Sequence, residues 1–193
     1  MKKYFNYTII YFILFSFLFS SSSIRSLVLP GWGERNEFNI LSQNSDFKDI
    51  AYIQKRSQAL MLTETVIWIS LLSSQQLSDS YRTDYRSFGQ DKAGVAWSGK
   101  TDLYAANVGN YDNFEEYNDY KLLTSQLNDT YPEGEGYEWN WKDNNSNRLR
   151  YDKLRNKSEQ LDKVKTYMIA SLLINRIIST FDVINIKRNH GRL

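Results

Sequence analysis

The chain has 193 residues, with 24 basic against 22 acidic side chains, one histidine and no cysteine. Without cysteine it forms no disulfide and has no thiolate chemistry. Lys2 and Lys3 fall in an N-terminal leader, so 22 basic residues remain to balance the 22 acidic ones. That neutrality argues against nucleic acid as a partner, because a basic stripe is the expected footprint of such binding.

The leader comes first. Met1-Lys2-Lys3 is a short basic start, Thr8 to Phe19 is almost unbroken apolar sequence, and Ser20 to Ser23 follow. These are the three parts of a secretory signal peptide over residues 1–22. The apolar run is shorter than the roughly 20 residues that a spanning helix needs. The protein is therefore expected to be exported across a membrane. Removing the leader leaves about 170 residues, the size of one domain.

Arg25 to Arg35 reads "RSLVLPGWGER". Pro30-Gly31 signals a turn and Gly33 adds a second permissive point. Leu27, Leu29 and Trp32 offer apolar surface, and Trp favours a bilayer's interface. Leu27, Leu29, Pro30, Gly31 and Trp32 are thus candidates for a bent segment at a membrane interface. The alternative is an arm packed under the domain.

Ser45-Asp46 could cap a short helix ending near Lys55. From Ser57 to Tyr85 there is no Pro or Gly, and Leu60, Met61, Glu64, Ile67, Trp68 and Leu71 repeat at three and four. This spacing predicts a helix, most apolar at about 58–75. Glu64 lies at the centre of its apolar face. Gly89, Gly94, Gly99 and Gly109 are expected to break the following stretch into short pieces. Asn113 can cap a helix from Phe114 to Leu127, with Glu115 and Glu116 near its positive end. The region at about 90–145 is polar and aromatic. Within it Tyr137, Trp139 and Trp141 alternate and could line one face of an extended loop, as a sugar-stacking platform does.

The last element runs from Asn147 or Arg148 to about Arg188 without Pro or Gly. A continuous helix of that length is on the order of 60 Å long, so a kink or a helix projecting along a membrane is expected. Its second half, about 166–186, is apolar but carries Asn175, Arg176, Ser179 and Asp182. An ionised group in hydrocarbon normally faces a partner. Glu64 is expected to pair with Arg176, with Asn175, Ser179 and Asp182 completing an intramembrane polar network.

Little else carries chemistry. Asp143, Asn145 and Asn147 imitate the opening of a calcium loop, but Arg148 replaces its glycine and Leu154 its acidic last ligand. A helix cap at Ser146 and Asn147 explains the segment better, and no metal or cofactor is expected. His190 lies near the C-terminus, and no nucleophile, zinc or phosphate-loop motif is present. A carboxylate hydrolase would need two of Asp112, Glu115, Glu116 and Asp119 to converge. Glu115 and Glu116 point about 100° apart on a helix and cannot pair directly.

Two motifs carry a resemblance. Arg25-Ser26 with Leu29-Pro30-Gly31-Trp32-Gly33-Glu34, and Asn175-Arg176-Ile177-Ile178-Ser179-Thr180-Phe181-Asp182, resemble an "LPGWGQ"-like stretch and a late "NRxISxxD" helix. That pattern is found in uncharacterised bacterial envelope proteins, mainly of Gram-negative lineages, classed only as a domain of unknown function. Glu34 stands where that family commonly has glutamine. The resemblance implies a membrane-associated α-helical protein and supplies no catalytic residue. The sequence thus points to an all-α protein at a membrane, with two apolar helices packed together and a structural or scaffolding role beside an envelope protein partner. The rival is a soluble periplasmic binding module built on Tyr137, Trp139 and Trp141.

Overall fold

The computed structural model describes residues 21–43 and 45–191. The leader, apart from Ser21 and Ser22, lies outside them. The described chain is all-α. Its helices are α1 (Ser22–Val28), α2 (Trp32–Leu41), α3 (Phe47–Ala93), α4 (Asp102–Asn110), α5 (Phe114–Leu123) and α6 (Asn145–Asn189), with a 3-10 turn at Leu127–Asp129. No strand forms among the described residues, and one antiparallel bridge joins Asn113 to Asn140.

The two long segments without breakers are helices, and both exceed their expected limits. α3 absorbs the short helix expected before Lys55 and runs on through Gly89. Gly89 is there for space and not to break the helix: a Cβ on it would stand 3.1 Å from both Trp97 and Tyr151. The helix ends where Gly94 takes a φ of 72°, a left-handed conformation that glycine adopts without strain. α6 is one helix of 45 residues. Its start is capped by Asn144, whose Oδ1 accepts from the Asn147 amide at 3.0 Å, and not by Ser146 or Asn147.

The described chain divides into two compact units. One comprises residues up to Leu71 and from Thr166 onward; the other is Leu72–Lys165. Each contains a stretch of α3 and a stretch of α6.

The Leu72–Lys165 unit is built on an aromatic core. Tyr85, Tyr104, Phe114, Tyr117, Trp139, Trp141 and Tyr151 are all buried together with Val95 and Val108. Their rings meet mostly edge to face, as Tyr104 does with Trp97, Tyr131, Tyr137 and Trp139, the arrangement the ring quadrupole favours. The polar tips find partners: Trp141 Nε1 donates to the Val108 carbonyl at 2.8 Å and Tyr151 Oη to that of Ala105 at 2.9 Å. Burial pushes the Tyr104 and Tyr151 phenols above the usual tyrosine range. α5 carries the cap expected at its start: Asn113 Oδ1 accepts from the Glu116 amide, and Glu116 reaches back to the Asp112 amide. This resembles a capping box, with the glutamate reaching the residue before the cap. α5 stops at Leu123, short of Leu127, and α4 is a helix the glycine spacing concealed.

The other unit is small in core and rich in buried polar groups. Leu41, Ile50, Ile53 and Ile186 form its apolar centre, with Phe38 against them. α1 and α2 turn about Pro30-Gly31, where Gly31 has a φ of 88°.

Candidate functional site: a polar interior under an apolar surface

The Pro-Gly-Trp-Gly turn is wedged between helices. The Gly31 amide donates to Ser179 Oγ of α6 at 2.9 Å, and the Gly31 carbonyl accepts from Ser57 Oγ of α3 at 2.7 Å. A Cβ on Gly33 would collide with the Ser22 carbonyl and the Ser26 hydroxyl, and stand 2.8 Å from Val183. Glycine is required here by contact on both sides. Pro30 and Gly31 are therefore buried, not at an interface. Leu27 and Leu29 of the same segment are exposed. Trp32 is half-buried, with the Arg25 guanidinium 5.9 Å from its ring centre.

Glu34 lies beneath this turn, fully buried. It accepts from Ser26 Oγ at 2.8 Å and from Ser179 Oγ at 2.7 Å. Glu37, one turn on, is also fully buried. It accepts a short hydrogen bond from Ser22 Oγ and has Lys187 Nζ at 3.9 Å. A carboxylate with no contact to water must be met by donors or a cation, and both of these are.

The expected pairing of Glu64 with Arg176 is present, at 2.7 Å. Glu64 is 3 % exposed. It also accepts from Asn175 Nδ2 at 3.0 Å and from Trp68 Nε1 at 3.2 Å. The other two expected members lie elsewhere. Ser179 serves Glu34 and Gly31, and Asp182 pairs with Arg56. The expected single network is thus split: Glu64 with Asn175 and Arg176, Ser179 with Glu34, and Asp182 with Arg56 stand apart, and Glu37 with Ser22 and Lys187 makes a further cluster. Three of the carboxylates, Glu34, Glu37 and Glu64, are buried, and sequence reasoning named one of them as a network member. Glu34, Glu37, Ser22 and Ser26 were missed as partners. The available signal was the i, i+4 spacing of Ser22 and Ser26 and the i, i+3 spacing of Glu34 and Glu37, each of which puts two polar groups on one helix face.

The outside of this unit is the reverse of its inside. Leu62, Val66, Trp68 and Ile69 on α3, and Tyr167, Ile169, Leu173, Ile174, Ile177, Ile178 and Phe181 on α6, are exposed. Leu62 is 65 % and Leu173 60 % exposed. Among the described residues one helix, α6, is long and apolar enough to cross a membrane, and 28 % of its apolar window is buried. The 58–75 stretch expected as a second apolar helix does not reach the same measure.

The aromatic loop is not a platform. Trp139 and Trp141 are 2 % and 1 % exposed and belong to the core of the other unit. Tyr137 is half-buried, stacked on Tyr131 at 4.8 Å with Lys100 Nζ over its ring. The nearby acidic loop is held by its own backbone: hydrogen bonds to Glu138 from its own amide and those of Gly134 and Gly136 hold its carboxyl below the usual range. Of the carboxylates a hydrolase would need, Glu116 caps α5 and Asp112 Oδ2 accepts from the Asp143 amide at 3.2 Å, while Glu115, Glu116 and Asp119 line one open surface cleft. Among the described residues no three His, Asp or Glu side chains group as metal ligands.

No family model matches the chain, and no curated protein or solved structure matches it. The resemblance to envelope proteins drawn from "LPGWGE" and "NRIISTFD" rests on those residues alone. What the geometry adds is that the two motifs meet, at Glu34 and Gly31 on one side and Ser179 on the other.

Proposed function

We propose that this is an exported, helical envelope protein whose unit of residues 21–71 and 166–191 sits in a membrane, with a structural or scaffolding role toward an envelope protein partner. One observation carries the reading. That unit buries Glu34, Glu37, Glu64, Asn175 and Ser179 while exposing a band of Leu, Ile, Val and Phe. In water the hydrophobic effect drives the opposite arrangement. In lipid there is no such drive between helices, and polar side chains and small residues hold them together. The Leu72–Lys165 unit buries its aromatics in the ordinary way, which suits an aqueous compartment. The leader supports export, and the paired motifs support kinship with Gram-negative envelope proteins of unknown function.

This reading assigns no catalytic role. Burial of Trp139 and Trp141 removes the basis for the periplasmic sugar-binding alternative. The test is fractionation of the tagged protein with an alkaline carbonate wash. Retention in the membrane pellet, released only by detergent, is the expected result. Recovery in the soluble periplasmic fraction would sink the proposal.

A further inference from the structure

A cleft of about 140 Å³ lies between α2 and the early turns of α3. Its polar lining is Arg35, Asn39, Gln54, Ser57 and Gln58, with Phe38 and Met61 as apolar lining. No carboxylate lines it among the described residues. Ser57 is engaged by the Gly31 carbonyl. Arg35, Asn39 and Gln58 are exposed and Gln54 is half-buried, and none of these four side chains has a hydrogen-bond or ion-pair partner among the described residues. One guanidinium offers a fork of donors suited to an oxyanion, and three carboxamides each offer both donors and an acceptor. The space holds several waters or one phosphate-sized group.

The position of the cleft on α3 says more about its ligand. Gln58 at its rim, then Leu62, Val66 and Ile69, follow at steps of four, four and three, so they form one stripe of the helix. All four are exposed. From Gln58 to Ile69 the helix rises about 16 Å, close to half of a hydrocarbon core of about 30 Å. An anion-seeking cleft at one end of an apolar stripe one leaflet long matches an amphiphile. We infer that this cleft binds the phosphodiester headgroup of an anionic lipid, with an acyl chain along Leu62, Val66 and Ile69. The inference rests on the membrane reading above and names the lipid class that the unit would hold.

The test uses the full chain in neutral detergent micelles, titrated with phosphatidylglycerol, phosphatidylcholine and inorganic phosphate, with bound species counted by native mass spectrometry. Phosphatidylglycerol is expected to bind one to one, at least about tenfold tighter than phosphatidylcholine, and Arg35→Gln to lose about tenfold, the scale of one charge-assisted contact. Arg188→Gln, which removes an exposed cation outside the cleft, is expected to change nothing. Phosphatidylglycerol binding that survives both Arg35→Gln and Gln58→Leu overturns the assignment. Inorganic phosphate binding as tightly as the lipid overturns the lipid and leaves a plain anion site. A protein that resists carbonate yet shows no selective lipid binding keeps the membrane reading and loses this one.

Discussion

The Ser179 hydroxyl donates to the Glu34 carboxylate at 2.7 Å and accepts from the Gly31 amide at 2.9 Å. One side chain of the last helix thus ties down both the turn and the carboxylate of the first motif, 145 positions earlier. Glu34→Ala strands the Ser26 and Ser179 hydroxyls in a buried place, at a cost of about 1–3 kcal/mol for each unsatisfied group. Glu34→Gln keeps an acceptor and adds a donor, so it should lose clearly less. Thermal unfolding of both variants in detergent checks the order. Equal losses would mean that shape, not hydrogen bonding, is what the site requires.

The Glu64–Arg176 pair is the second test of the interior. Breaking a buried pair by removing one partner costs about 3–5 kcal/mol, while replacing both with apolar residues of similar volume is often neutral. Glu64→Leu and Arg176→Met should therefore each destabilise the protein, and the double variant should recover most of the loss. Arg176→Met strands the buried Glu64 carboxylate and is expected to be the more costly, whereas Glu64→Leu leaves an Arg176 that is only partly buried and is expected to be the milder. A double-mutant cycle in detergent measures this, and additive losses would deny the coupling.

The aromatic unit makes a different demand. Trp141→Ala removes a fully buried ring and its bond to the Val108 carbonyl, a change that costs about 3–5 kcal/mol. Tyr137→Ala, at a half-buried position, should cost much less. Denaturant unfolding followed by tryptophan fluorescence compares them. A near-neutral Trp141→Ala would mean that the ring is not core.

Asp162 gives this unit an acid limit. Partial burial pushes its carboxyl up, but bonds from Lys165 and Ser78 and the charges of Lys165 and Arg82 outweigh that and hold it below its ordinary value of 3.8. A carboxyl depressed in the folded state adds stability that is fully present above its unfolded value and is lost as pH falls through the folded one. Stability should therefore decline on acidification below about pH 3.8, and Asp162→Asn should remove that part of the slope. Urea midpoints across the acid range report it, and an unchanged slope in Asp162→Asn would contradict it.

The long helices were legible because nothing in them interrupts the pattern: Ser57 to Tyr85 and Arg148 to Arg188 lack Pro and Gly. The pairing of Glu64 with Arg176 was legible too, since a charge in an apolar face needs a partner. The first motif was not. Whether Pro30 and Gly31 lie at a surface or under two helices is decided by Ser57 and Ser179, which local sequence does not bring to them. The alternation of Tyr137, Trp139 and Trp141 was real as a pattern, but alternation fits a core plug as well as a platform. Gly89 misled for the same reason: a glycine demanded by the rings of Trp97 and Tyr151 looks, in sequence, like a helix breaker.

The account turns on what surrounds the exposed band of α6. The chain has no cysteine, so single spin labels placed through Leu173→Cys, Ile177→Cys and Phe181→Cys report without background. In reconstituted liposomes they are compared with a label at Glu159→Cys in the aromatic unit. The account predicts that the three α6 labels collide with oxygen and are shielded from a water-soluble nickel reagent, while the Glu159 label shows the reverse. Nickel accessibility at all four positions would contradict it and place the apolar band in water.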